Sequence, residues 1–207
     1  MLLVGVVACG SGSGSSPNVS SGSGPSPGWA GQVLEGEQGP DQAVQIAVDG
    51  DQVVVVTVSD HGVVTGFATD DQGRFWPGEP TATGRRYLRL GGVTRFGDGW
   101  MALGSGGLPD DEELVFDVRA FSSPDGRAWS EVDAVGFEGQ ADVTGVAAVD
   151  DGLVGVGALR TADDPSEGGF GPVAWHSADG KGWTTMALPT GGGSEGSVQA
   201  VAVTDAR

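Results

Sequence analysis

Two acidic stretches are the densest groups of potential metal ligands in this sequence of 207 residues. They are Asp110-Asp111-Glu112-Glu113 and Asp163-Asp164-Pro165-Ser166-Glu167. Oxygen-rich loops bind Ca²⁺ when several carboxylates and carbonyls converge on one point. Neither stretch has the ordered spacing of a calcium loop, and runs of charge usually form solvated faces. We therefore predict no metal site and no cofactor, and keep calcium binding by these loops as the alternative.

The two histidines do not belong to a pattern that predicts metal binding or catalysis. His61 belongs to a predicted turn with the sequence S-D-H-G, and His176 lies in a predicted strand beside Trp175. Isolated histidines without metal-ligand spacing are more often surface residues than ligands. No nucleophile motif accompanies them, so the sequence does not predict a Ser-His-Asp arrangement.

The only cysteine, Cys9, follows the apolar run M-L-L-V-G-V-V-A. This run is shorter than the roughly 20 apolar residues that span a bilayer, and it lacks the cationic start of a signal peptide. The segment Val6-Val7-Ala8-Cys9 resembles a bacterial lipobox, in which a small residue precedes the cysteine that receives a diacylglycerol. The resemblance implies lipidation of Cys9, with residues 1–9 the end of a truncated lipoprotein signal. The alternative is a frayed apolar terminus with an incidental thiol.

Residues 10–30 are built from repeats such as G-S-G-S-G-S-S-P. They have almost no apolar content and cannot bury a core. We predict a flexible Gly/Ser/Pro-rich linker, after which the folded region begins.

A short motif recurs at regular intervals through the folded region. It reads T-D-D-Q-G-R-F-W from Thr69 (box 1), S-P-D-G-R-A-W from Ser123 (box 2) and S-A-D-G-K-G-W from Ser177 (box 3). The last tryptophans of the three boxes are 53 and 54 residues apart. A fixed period of this size indicates a stack or ring of one supersecondary unit.

Each box is predicted to be a tight turn between two strands. The Ser or Thr ends one strand, and the Asp accepts hydrogen bonds from amides of the turn. The Gly supplies a positive φ, and the Trp starts the next strand and packs against the hairpin. The residues assigned to these roles are Thr69, Asp71, Gly73 and Trp76 in box 1, Ser123, Asp125, Gly126 and Trp129 in box 2, and Ser177, Asp179, Gly180 and Trp183 in box 3.

The boxes resemble the Asp-box, or BNR repeat, of sialidase-like β-propellers. In that family the motif forms the turn between the third and fourth strands of a blade, and it is structural. Box 1 has the usual family spacing, whereas boxes 2 and 3 are one residue shorter between Asp and Trp. The resemblance covers about residues 41–207 and implies a β-propeller of four-stranded antiparallel blades.

The remaining pattern predicts an all-β fold, because short apolar runs alternate with turn signals and no stretch has helical periodicity. Turns are predicted at Asp49-Gly50-Asp51, Asp98-Gly99 and Asp150-Asp151-Gly152. The propeller region, residues 31–207, divides into blades at about 41–85, 86–140 and 141–197, with residues 198–207 as the first strand of a fourth blade. Six such blades need about 320 residues, so we expect an incomplete ring.

The same resemblance raises the alternative of a glycoside hydrolase. Sialidase chemistry is expected to use an arginine cluster for the substrate carboxylate, a Tyr nucleophile paired with Glu, and an Asp acid. The only tyrosine, Tyr87, lies among Arg85, Arg86 and Arg89, but alternation along a strand would split the directions of these arginines. No R-I-P-like segment precedes box 1. We therefore predict no catalytic residues.

The net charge of the chain limits the kind of partner that we predict. The chain carries 10 Lys and Arg against 28 Asp and Glu, a net charge of −18, and such a chain repels nucleic acid. We predict a cell-surface, extracytoplasmic lipoprotein, held to the membrane by a lipid on Cys9, with a non-catalytic β-propeller module for binding or scaffolding. Its expected ligand is an extracellular protein or a glycan. The alternative is a truncated part of an exo-acting, sialidase-like glycoside hydrolase.

Overall fold

The computed structural model describes residues 41–84, 86–107, 117–137, 139–160 and 170–188. All of them belong to one compact unit, residues 34–207. Several predicted features lie outside the described residues: Cys9 with its signal, the linker, both acidic stretches, Arg85 and the strand at 198–207.

The described strands form three antiparallel sheets, each with its strands in chain order. Sheet 1 contains β1 (Asp41–Asp49), β2 (Gln52–Ser59), β3 (Val63–Thr69), β4 (Phe75–Pro77) and β5 (Thr81–Ala82). Sheet 2 contains β6 (Arg86–Phe96), β7 (Gly99–Gly107), β8 (Asp117–Ser123) and β9 (Ser130–Val132). Sheet 3 contains β10 (Ala141–Val149), β11 (Gly152–Arg160), β12 (Phe170–Ser177) and β13 (Thr184–Ala187). The described residues contain no helix, and the all-β prediction is confirmed.

Sheet 1 differs from the other two at its last position. The short strands β4 and β5 both pair with β3, β4 with Phe67–Thr69 and β5 with Val63–Val64. Together they occupy the place that a single fourth strand takes in sheets 2 and 3.

The first hairpin of each sheet turns close to the predicted position. The β1–β2 turn uses Gly50, whose φ of 58° suits a tight hairpin. The β6–β7 turn is formed by Gly97 and Asp98 rather than by the predicted Asp98-Gly99. Gly97 takes the positive φ of 57°, and Gly99 is already the first residue of β7, paired with Phe96.

The three sheets pack face to face in series. Sheets 1 and 2 enclose one apolar core, and sheets 2 and 3 enclose a second. The first core contains Val54, Val56, Val58, Val64, Ala68, Leu88, Leu90, Val93, Trp100, Ala102, Phe121 and Trp129. The second contains Met101, Leu103, Val118, Ala120, Ala141, Val143, Val146, Leu153, Val173, Trp175 and Trp183.

Each sheet therefore has two distinct faces. We call the face toward the following sheet the front face and the opposite one the rear face. In sheet 1 the front face carries Val54 and Val56, and strand alternation places Val55 and its cross-strand partner Ile46 on the rear face.

Polar contacts join the first strands of neighbouring sheets. The Gln45 side chain of β1 donates to the Leu90 carbonyl of β6 at 3.0 Å. The Arg89 guanidinium of β6 pairs with the Asp142 carboxylate of β10 at 2.7 Å. Strands β1, β6 and β10 therefore lie side by side, and the described sheets form an open series in which no ring closes.

Candidate functional site

The repeated boxes are the most regular feature of the structure, and box 2 shows how one is built. Ser123 ends β8, and its Oγ accepts the amide of Gly126 at 2.8 Å. Oδ1 of Asp125 accepts the amides of Arg127 at 2.9 Å and Ala128 at 3.0 Å. Two polar side chains thus satisfy three amides of one tight turn.

Box 3 repeats this geometry. The Oγ of Ser177 accepts the amide of Gly180 at 2.9 Å. Oδ1 of Asp179 accepts the amides of Lys181 and Gly182, both at 2.8 Å. The same residue types at the same spacing therefore make the same turn.

In boxes 2 and 3 the tryptophan side chain adds one further hydrogen bond. The indole N–H of Trp129 donates to the Gly126 carbonyl at 3.0 Å, and that of Trp183 donates to the Gly180 carbonyl at 3.2 Å. Both side chains are buried. Each ring fills the core with its apolar surface while its single polar group is satisfied within the box.

Box 1 uses a different carboxylate from the one that its spacing predicts. Asp70, not Asp71, accepts the amides of Gln72 and Arg74, both at 2.9 Å. The physical reason is the length of the turn. Gly73 follows Thr69 by four residues, whereas the glycine of each other box follows its serine by three. The earlier of the two adjacent aspartates is therefore the one placed beneath the turn amides.

The aromatic residue of box 1 also differs from the predicted one. In the strand register, Phe75 lies opposite Thr69 of β3. In boxes 2 and 3 the printed register ends with Ser122 opposite Ser130 and His176 opposite Thr184, and its extension by one residue brings Trp129 and Trp183 to this same position. Phe75 is therefore their counterpart, whereas Trp76 points to the opposite face and is 48% exposed. Counting six residues from each Ser or Thr would have found this, since positions 75, 129 and 183 are 54 residues apart.

Trp76 nevertheless belongs to the box through its indole. Its N–H donates to Oδ2 of Asp70 at 2.9 Å. This bond, followed by the Arg74 amide, holds the pKa of the Asp70 carboxyl far below its ordinary value. The Arg74 guanidinium lies against the same oxygen at 2.9 Å.

The other two box carboxyls also have lowered pKa values. For Asp179 the amides of Gly182 and Lys181 are the main causes. For Asp125 partial burial raises the pKa, but the hydrogen bonds from Ala128 and Arg127 together outweigh it and the net pKa is lowered. All three box aspartates are therefore stabilised as anions by their own turns.

Boxes 2 and 3 pack against the preceding sheet. Gly126 has a φ of 81°, and a Cβ atom there would collide with Val54 on the front face of sheet 1. Gly180, with a φ of 75°, lies in the same way against Met101 of sheet 2. The glycines thus satisfy two demands at once, a left-handed backbone and a close approach to the neighbouring sheet.

The residues considered for catalysis or metal binding are scattered. His61 is exposed in the turn after β2, and His176 lies in β12 with its Nε2 3.4 Å from the Asp151 carboxylate. Tyr87 is 58% exposed near the start of β6, with an unusual φ of 62°. The Arg89 guanidinium donates hydrogen bonds to both carboxylate oxygens of Asp142. Among the described residues no group of three or more His, Cys, Asp or Glu side chains could hold a metal ion.

No protein-family model matches the sequence, and none of the curated proteins matches it. Within the described part of the chain, no helix is long and apolar enough to cross a membrane.

Proposed function

We propose that this protein is an extracytoplasmic lipoprotein, anchored through Cys9, whose sheets are blades of a β-propeller that serves as a non-catalytic binding or scaffold module. One observation carries the proposal. Three consecutive antiparallel sheets follow one another, and each has a box turn between the strands at its third and fourth positions. This is the position that the Asp-box takes in the propeller blades that the sequence resembles.

The chemistry of the boxes supports a structural role for them. Their carboxylates are occupied by amides of their own turns, and their lowered pKa values keep them ionised rather than ready to donate a proton. A general acid needs the opposite environment, one that raises its pKa toward the working pH. The boxes are therefore suited to fixing turns and joining sheets.

The surroundings of Tyr87 favour binding over sialidase-like hydrolysis. The nearby Arg89 guanidinium donates two bonds to Asp142, at 2.7 and 2.8 Å, across the contact between β6 and β10. Its charge is thus used to join two sheets instead of being offered to the carboxylate of a substrate. We expect the ligand of the module to be an extracellular protein or a glycan.

Metabolic labelling tests the anchoring. The chain is expressed in a bacterial host behind a lipoprotein signal and fed labelled fatty acid. We expect label to enter the protein and the protein to fractionate with membranes, because several acyl chains together give stable anchoring where a single one does not. A Cys9→Ser variant should lose both properties, and equal labelling of this variant would refute lipidation at Cys9.

A second assay tests the absence of catalysis. The full chain is incubated with a fluorogenic sialoside across a range of pH. We expect no release of the fluorophore above a buffer control. If the wild type released the fluorophore and a Tyr87→Phe variant did not, the proposal of a binding module would give way to the hydrolase alternative.

A further inference from the structure

Two positions on the front face are buried in all three sheets. They are the fifth and the seventh residue of the second strand, β2, β7 or β11. The residues are Val56 and Val58 in sheet 1, Leu103 and Ser105 in sheet 2, and Val156 and Ala158 in sheet 3. None of the six is more than 5% exposed. The front face of sheet 3 is therefore covered almost as fully as the other two.

In sheets 1 and 2 the first strand of the following sheet supplies the cover. The residues that share a core with the buried positions are Leu90 and Val93 of β6 over sheet 1, and Val143 and Val146 of β10 over sheet 2. A hydrogen bond shows how close the two layers are. The Oγ of Ser105 accepts the amide of Val143 at 2.8 Å.

The cover of sheet 3 is not accounted for in this way. Neither of the two apolar cores formed by the described residues contains Val156 or Ala158, although both are buried. Their burial therefore calls for a third apolar layer in front of sheet 3. The loop of residues 161–169 in the same sheet is poorly suited to form it, because this loop has three acidic residues and no valine, leucine, isoleucine or aromatic residue.

Residues 198–205 repeat the sequence pattern of the covering strand. They read V-Q-A-V-A-V-T-D, and residues 143–150 read V-T-G-V-A-A-V-D. Val198 and Val201 thus stand where β10 has Val143 and Val146, the two residues that cover sheet 2. Residues 189–207 lie outside the described part of the chain, and they follow sheet 3 directly in the sequence.

The connection from sheet 3 to this segment has the required length. Eight residues, 133–140, lead from the end of β9 to the start of β10. Eight residues, 188–195, lead from the end of β13 to residue 196, which matches the first residue of β10 in the same alignment. Both connections leave the fourth strand of a sheet with the same strand order. The second can therefore bring its segment in front of sheet 3 as the first brings β10 in front of sheet 2.

We propose that residues 198–204 bind the front face of sheet 3 within the same chain, as an extra strand equivalent to β6 and β10. In this arrangement Val198 lies beside Ala158 as Val143 lies beside Ser105. The front face of sheet 3 is then an internal surface and is not available to a second molecule. The contact involves neither Cys9 nor a ligand, so it goes beyond anchoring and binding, and its test is independent of theirs.

A disulfide between introduced cysteines tests the contact. Ala158→Cys and Val198→Cys are combined in a Cys9→Ser background. The equivalent residues Ser105 and Val143 are joined by a hydrogen bond, so the pair should lie within reach of a disulfide. We expect the monomer to oxidise and to migrate faster on a non-reducing gel, and a reductant should reverse the shift.

Ala158→Cys with Val203→Cys is the matched control. Five residues along a strand move the second sulfur about 16 Å away, so this pair should stay reduced. Failure of Ala158→Cys with Val198→Cys to oxidise, or equal oxidation of both pairs, would overturn the proposal. Oxidation of Val198→Cys with Val55→Cys would overturn it as well, because Val55 lies on the rear face of sheet 1 and the segment would then cover that face.

Thermal melts give a second measurement that does not need a disulfide. Val44 and Val143 are equivalent, since each lies opposite the sixth residue of the second strand, and Val198 matches Val143 in the alignment. Val143 is fully buried, whereas Val44 is 52% exposed. Replacement of valine by threonine keeps the shape of the side chain but adds a hydroxyl, which is costly only where it is buried without a partner.

Val143→Thr and Val198→Thr should each lower the melting temperature by about 3–8 °C. Val44→Thr should change it much less. If Val198→Thr melted like Val44→Thr and not like Val143→Thr, Val198 would not be buried against a sheet and the proposal would be wrong.

Discussion

Gly66 of β3 lies against the indole ring of Trp129 from the next sheet, with no space for a Cβ atom between them. A methyl group at this position would collide with Nε1 of the indole and crowd the Gly126 carbonyl that Nε1 binds. The backbone of Gly66 is outside the left-handed region. The glycine is therefore required by the contact between the sheets and not by its own conformation.

Gly66→Ala should destabilise the protein by about 1–3 kcal/mol, as overpacking of a core does. Urea denaturation followed by tryptophan fluorescence measures the loss. The cost should shrink in a Trp129→Phe background, because phenylalanine lacks the indole nitrogen that the methyl group meets. An equal cost in both backgrounds would show that the two residues are not coupled.

Substitution of two box glycines by alanine separates the cost of backbone strain from the cost of crowding. Gly73 and Gly126 have similar φ values, 73° and 81°, but a Cβ on Gly73 meets no atom within 4 Å, whereas one on Gly126 collides with Val54. Gly73→Ala should cost about 1–2 kcal/mol for the left-handed conformation alone. Gly126→Ala should cost about 1–3 kcal/mol more. Equal losses in chemical denaturation would contradict the close packing of box 2 on sheet 1.

The strands and most turns could be predicted because they depend on local chemistry. The valine run of β2 and the glycine of the β1–β2 turn indicate a hairpin without knowledge of any other element. Gly66 could not be assigned a role in this way, because its partner Trp129 is 63 positions away in the sequence and in another sheet. Which residue faces which sheet depends on register, and register is fixed by pairing across strands.

Box 1 shows the same limit at the level of single residues. The sequence T-D-D-Q-G offers two neighbouring aspartates, and only the path of the turn decides that Asp70 accepts the amides. Likewise F-W offers two neighbouring aromatic residues, and the pairing of Phe75 with Thr69 decides which one matches the other boxes. A pattern of residue types locates the turn but does not choose between adjacent candidates.

Substitution of the two aspartates of box 1 tests this assignment. Asp70→Ala removes the acceptor for two amides, the Arg74 guanidinium and the Trp76 indole, so it should lower the melting temperature. The native Asp71 accepts none of these bonds, so Asp71→Ala should leave the melting temperature unchanged within error. Thermal melts followed by circular dichroism measure both variants. If Asp71→Ala lowered the melting temperature and Asp70→Ala did not, Asp71 would be the acceptor after all.

Removal of a box tryptophan should reveal the different positions of these rings. Trp129→Ala takes a buried side chain from the first core and should cost about 3–5 kcal/mol in urea denaturation. Trp76→Ala removes a side chain that is nearly half exposed and should cost much less. A larger loss for Trp76→Ala would place Trp76, and not Phe75, at the position equivalent to Trp129.

The lowered pKa of Asp125 predicts a loss of stability in acid. Its ordinary value is 3.8, and the folded protein holds the pKa below that value, so the carboxylate stabilises the fold above about pH 4. As the pH falls through the folded pKa, the carboxyl is protonated and this contribution is lost. The melting temperature of the wild type should therefore exceed that of Asp125→Asn near neutral pH, and the difference should shrink steadily below about pH 4. Asp71→Asn serves as the control near neutral pH, where its melting temperature should match that of the wild type, because Asp70 and not Asp71 accepts the box amides. A difference between wild type and Asp125→Asn that stays constant from neutral pH into acid would show that the ionised form of Asp125 does not stabilise the turn.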